Sequence, residues 1–106
     1  MLEVVTCHNE CVSCLKLSGE LDISTVDKFR LSIESIPKTT TAVDLDFSGV
    51  EFIDSTGIGN LVQFMNQLRA QDIKVMIKRI PKEIHEVLDM LGIPELMGEK
   101  YFEYLI

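Results

Sequence analysis

The segment that most constrains the fold is residues 43–59, Val-Asp-Leu-Asp-Phe-Ser-Gly-Val-Glu-Phe-Ile-Asp-Ser-Thr-Gly-Ile-Gly. Its first half alternates apolar and acidic side chains, the two-residue period of a strand with one face buried. Beyond it, Ile58, Leu61, Val62, Met65 and Leu68 recur every three or four positions, the period of a helix with one apolar stripe. The period changes at Asp54-Ser55-Thr56-Gly57, with no loop between strand and helix. Two hydroxyls and a carboxylate therefore stand at a helix N-terminus. Backbone N–H groups there lack intrahelical partners and the helix dipole favours negative charge.

The same two periods organise the rest of the chain. Residues 3–8 and 11–18 read as strands joined by a turn near Asn9-Glu10. In the second, Ser13, Leu15 and Leu17 share one face and Val12, Cys14 and Lys16 the other. Ser18–Asp22 reads as a connection. A helix then starts near Ser24, where Ser24 and Asp27 resemble a capping box. It turns Val26, Phe29, Ile33 and Ile36 inward and stops at Pro37. Thr41–Phe47 reads as a central strand with Asp44 and Asp46 facing out. A helix follows over about Gly57–Ala70, then a short strand over Lys74–Ile77. Pro81 opens a third helix, with Ile84, Val87, Leu88 and Leu91 inward and Gly92 as its stop. Pro94-Glu95-Leu96-Met97 suits a short helical turn, and Tyr101–Ile106 an edge strand. The order β-β-α-β-α-β-α predicts an α/β fold, a mixed sheet of four to five strands with helices packed on it.

Composition narrows the class of function. At 106 residues, 46% hydrophobic and 25% charged, residues 1–106 form a single globular domain. A net charge of −7 argues against direct nucleic-acid binding, which needs a clustered basic surface. No apolar run is long enough to span a membrane, and the N-terminus lacks the basic-then-apolar pattern of an export signal, so a cytoplasmic protein is expected. Three cysteines, Cys7, Cys11 and Cys14, make an odd count and read as reduced thiols.

Several motifs fall short of chemistry. Cys-x3-Cys-x2-Cys resembles the spacing by which radical SAM enzymes hold an iron–sulfur cluster, but those enzymes need a large βα barrel, and Cys11 and Cys14 fall within a strand pattern. Gly57-x-Gly59 lacks the third glycine of a dinucleotide fingerprint, because residue 62 is Val. Ser55 lacks the glycine two positions before it that a nucleophile elbow requires, and nothing brings His8 or His85 to it. Lys74, Lys78, Arg79 and Lys82 read as a solvated strand-to-helix edge. Asp44, Asp46, Glu51 and Asp54 alternate along a strand without metal-ligand spacing. No catalytic residue, cofactor or metal ligand is assigned. What stands is Asp54-Ser55-Thr56-Gly57. As an N-cap it stabilises a helix by about 1 kcal/mol, yet one capping residue would suffice where three are stacked.

Here the chain resembles STAS domains of the bacterial anti-sigma factor antagonist type. Phe52-Ile53-Asp54-Ser55-Thr56-Gly57-Ile58-Gly59 carries the resemblance. Gly19-Glu20-Leu21-Asp22 and Val87-Leu88-Asp89-Met90-Leu91-Gly92-Ile93 support it, over roughly residues 3–97. The resemblance implies a binding module rather than an enzyme. Ser55 would be phosphorylated by an anti-sigma factor that is also a serine kinase, and a PP2C-type phosphatase would reset it. Unmodified, the domain would bind that kinase and release a sigma factor. Asp22, Asp54, Thr56, Gly57 and Ile58 would form the partner-binding set. Two departures from the family pattern stand out: the terminal helix is shortened, which would leave an apolar surface open, and the three cysteines have no counterpart. The alternatives are a STAS scaffold in another regulatory or lipid-transport complex, or a small metal- or nucleotide-binding protein.

Overall fold

The computed structural model describes residues 1–104. The elements run β1 (Leu2–Asn9), β2 (Val12–Leu21), α1 (Val26–Glu34), β3 (Ala42–Ile53), α2 (Ser55–Ala70), β4 (Lys74–Ile80), α3 (Lys82–Met90), α4 (Ile93–Met97) and β5 (Phe102–Tyr104), with a 3-10 turn over Glu99–Tyr101 before β5. They build one sheet in the order β1-β2-β3-β4-β5, with β1 antiparallel to β2 and every later neighbour parallel.

Each parallel step moves to the adjacent strand in the same direction. Right-handed crossovers then bring every helix to the same face of the sheet. On that face Leu15, Leu17, Val43, Leu45, Phe47, Val75 and Ile77 are buried with Phe29, Leu61, Met65 and Leu88 in one core. Phe29 of α1 meets Phe64 of α2 edge-on at 5.2 Å, locking the two helices together. The other face of β2–β4 carries Cys14, Lys16, Asp44, Asp46 and Lys78. Two of the four basic residues read as a solvated edge are paired there: Lys78 with Asp44 at 3.2 Å and Arg79 with Asp46 at 3.5 Å. Those pairs explain why a central parallel strand carries aspartates.

Several boundaries differ from those the local pattern predicts. The first turn is Glu10–Cys11, so Cys11 lies outside the second strand. That strand continues through the expected connection to Leu21, because bulges keep it in register with β3 as far as the Leu21–Ile53 pair. Gly19 makes the extension possible, with φ at +105° and a Cβ position that would overlap the Met1 carbonyl oxygen. Strand β3 runs to Ile53 rather than Phe47, and β4 to Ile80 rather than Ile77, since neighbouring strands supply partners that a single-strand pattern does not show. Helix α1 begins at Val26 with Thr25, not Ser24, at its N-cap. Leu91, expected inward, is the C-cap residue of α3 and is 56% exposed, while Phe64 is buried and Val62 only half-buried. Tyr101 belongs to the 3-10 turn. Of the expected last strand, Phe102–Tyr104 pairs with β4, and residues 105–106 lie outside the described part. Met90, Leu91 and Leu96 form exposed apolar positions around the α3–α4 corner.

Candidate functional site

The carboxyl ends of β2 and β3 lie side by side, and the segments leaving them meet at Asp54. Its backbone N–H donates to the Leu21 carbonyl at 3.3 Å, and its carbonyl accepts from Ile58 N at 2.9 Å, the first bond of α2. Its carboxylate serves both segments. Oδ1 accepts from Gly57 N at 2.8 Å, capping the helix, and Oδ2 accepts from Ile23 N at 3.1 Å, in the loop after β2. One side chain thus caps α2 and ties down a loop some thirty residues earlier in the chain.

That loop is braced from within. Asp22 Oδ1 accepts from Ser24 Oγ at 2.7 Å and from Ser24 N at 3.0 Å. The Ser24 hydroxyl beside it, with further help from Ser24 N and Thr25, holds the Asp22 carboxyl below the usual carboxylate range. Thr25 is buried and has no cap bond to give to α1. Its hydroxyl donates to the Glu20 carbonyl at 2.7 Å and accepts from Asp22 N at 3.0 Å. A serine expected to start a helix instead holds an aspartate, because the loop's own backbone needed partners more than the helix end did.

The residues singled out by the sequence take different positions around this joint. Ser55 is the first residue of α2 and is exposed, and among the described residues its side chain makes no hydrogen bond. Thr56 is half-buried, and its carbonyl accepts from Asn60 Nδ2 at 3.0 Å. Gly57 is buried where a Cβ would overlap the Leu21 carbonyl oxygen, so any side chain would push α2 off the end of β2. Ile58 is 5% exposed and belongs to the core. Gly57 and Ile58 therefore lie behind the surface that Asp22, Asp54, Ser55 and Thr56 border. Local reasoning missed two exposed apolar residues at this joint: Ile23, 74% exposed, and Phe52, 51% exposed. Ile23 was legible as an apolar residue set between Asp22 and Ser24 in a polar loop. Phe52 lies beyond the strand read over Thr41–Phe47, and no local signal marked it as exposed.

Among the described residues neither histidine is hydrogen-bonded to Ser55. His8 lies at the other end of β2, its Nδ1 3.1 Å from Ser13 Oγ, and Ser13 Oγ in turn is 2.8 Å from Thr40 Oγ1. His85 stacks on Tyr104 with ring centroids 3.7 Å apart. The arrangement presents an exposed hydroxyl at the start of α2.

A family model described as the STAS domain matches residues 3–104. The chain belongs to the STAS domain family. Among its relatives is an anti-sigma-B factor antagonist of Staphylococcus epidermidis, 29% identical over 84 residues that make up 78% of each chain. Two solved structures share the fold. An anti-sigma factor antagonist from Mycobacterium paratuberculosis superposes with a TM-score of 0.83 at 18% identity, over all of this chain and 87% of that one. A sulfate transporter family protein from Wolinella succinogenes gives 0.79 at 19% identity, over 90% of this chain and 78% of that one. The STAS assignment carries over the whole α/β architecture, including the short β5 at its end. No described helix of this STAS chain is long and apolar enough to cross a membrane.

Proposed function

We propose that this chain is an anti-sigma factor antagonist that switches partners according to the phosphorylation of Ser55. The observation that carries the reading is the state of that side chain: exposed, without a hydrogen-bond partner among the described residues, and on the first residue of a sixteen-residue helix. The anti-sigma factor antagonists among its relatives supply the class of partner. Unmodified, the surface bordered by Asp22, Ile23, Phe52, Asp54, Ser55 and Thr56 binds an anti-sigma factor with serine-kinase activity. Ile23 and Phe52 provide apolar contact, and Gly57 and Ile58 shape the surface from behind.

Phosphorylation adds about −1.5 to −2 charges at one point. At a helix N-terminus that charge is favoured by about 0.3–1 kcal/mol, so the fold tolerates it. Burying an unpaired dianion under a partner instead costs several kcal/mol. The interface term is the larger, and the modification acts on binding, not folding. A PP2C-type phosphatase restores the binding form. The domain itself is no enzyme in this scheme, acts in the cytoplasm and touches neither DNA nor lipid.

Incubation with a cognate anti-sigma factor kinase and ATP tests the reading. Mass spectrometry of the tryptic peptide spanning residues 39–69 should place one phosphate on Ser55. Phosphate on another residue, or none with any such kinase, would leave the domain as a scaffold. The shared fold of the sulfate transporter family protein favours that as the second reading.

A further inference from the structure

The partner switch proposed above assigns no role to the three cysteines, and the sheet register separates them. Cys7 of β1 and Cys14 of β2 are directly opposite each other in the antiparallel ladder, while Cys11 sits in the turn between the strands. Directly opposed antiparallel residues have Cα atoms about 4.5–5.5 Å apart, inside the roughly 4.4–6.8 Å that a disulfide spans. Both side chains leave the sheet on its helix-free face, where they line one shallow concavity of about 390 Å³ with Val5, Lys16, Asp44 and Lys78. Both are free thiols. Cys7 is exposed on an edge strand, and Cys14 is half-buried with its thiol pointing to Asp44 Oδ2 at 4.0 Å. Among the described residues no three metal-ligating side chains converge, so the pair is not two-thirds of a metal site.

We propose that Cys7 and Cys14 form a reversible redox site, closed to a cross-strand disulfide by exchange with a small-molecule disulfide of the glutathione type. The Cys7 thiolate attacks one sulfur of the small disulfide, forming a mixed disulfide and releasing one small thiolate. The Cys14 thiolate then attacks Cys7 Sγ and releases the second. Two protein thiols are oxidised by two electrons, and one small disulfide is reduced to two thiols. Cys7 goes first because it is open to solvent, whereas burial and then the Asp44 carboxylate push the Cys14 thiol up. Cys14 gains its advantage in the second step, where its partner sulfur is held opposite by the ladder. Cys11 faces neither.

Peptide mapping of the full chain after treatment with oxidised glutathione tests this. The first tryptic site, Lys16, lies beyond both cysteines, so a glutamate-specific protease is used without reduction. Cleavage after Glu10 puts Cys7 on residues 4–10 and Cys14, with Cys11, on residues 11–20. In the wild type and in Cys11→Ser the two fragments should stay joined and separate on reduction. Cys14→Ser should stop at glutathione on Cys7, and Cys7→Ser should give no joined fragments. Loss of the link in Cys11→Ser, links only between two copies, or fragments that separate without reduction would overturn the proposal. If a variant fails to fold, the wild-type digest still decides, since its linked sulfurs are identified by fragmentation.

Discussion

Asp54 is conspicuous as a residue that could have been simpler. A helix needs one cap, yet each oxygen of this carboxylate serves a different segment, Gly57 N on one side and Ile23 N on the other. Its neighbour Gly57 is constrained by contact rather than by backbone freedom. Gly57→Ala should cost about 1–3 kcal/mol, because the added methyl meets the Leu21 carbonyl, a backbone atom that cannot step aside. Urea unfolding would register it as a lower midpoint with unchanged slope. Asp22 yields a prediction in pH. Its carboxyl is lowered first by the Ser24 hydroxyl, so its contribution to stability is present above the ordinary carboxylate pKa and is lost as pH falls through the lowered one. Ser24→Ala should raise the Asp22 value towards the ordinary carboxylate range, followed by NMR titration of the side chain; the contribution should shrink and its loss be complete at a higher pH.

At the scale of elements, the helices are anchored unequally. Helix α2 has a side-chain cap, whereas α1, α3 and α4 have none. Asp54→Ala should therefore cost about 1–2 kcal/mol and do two things at once. It should fray the first turn of α2 and free the loop after β2, read as faster amide exchange at both Gly57 and Ile23. A mere helix cap would loosen Gly57 alone. The strands show the opposite economy. Each helix and strand type along residues 1–104 was legible in the sequence, and so were some ends, with Ala70 closing α2 and Lys74 opening β4, but others were not. Leu21, Ile53 and Ile80 are strand residues because a neighbouring strand holds them in register, and that neighbour is absent from any short window of sequence. Leu91 went astray for the converse reason: it continues the apolar stripe of α3, but the helix stops just before it.

For the whole molecule, the question is whether one added charge acts on the fold or on a partner. Ser55 lies outside the core and makes no side-chain bond among the described residues, so Ser55→Asp should change stability by no more than about 0.5 kcal/mol. If about 4 kcal/mol is lost at the covered interface, the same variant should bind the anti-sigma factor kinase about a thousandfold more weakly. Calorimetric titration of wild type, Ser55→Asp and Ser55→Ala, beside their thermal melts, separates the two. The expected outcome is three similar melts, tight binding by wild type and Ser55→Ala, and loss by Ser55→Asp. Equal affinities would remove Ser55 from the interface. By itself the sequence determined the α/β class, the strand-to-helix switch at Asp54 and the serine that follows it, because these rest on local period and local capping chemistry. Only the tertiary structure decided that Gly57 and Ile58 lie behind the surface, that Ile23 and Phe52 lie on it, and that Cys7 faces Cys14. Burial and cross-strand register are relations between distant segments, and they come into being when the chain closes on itself.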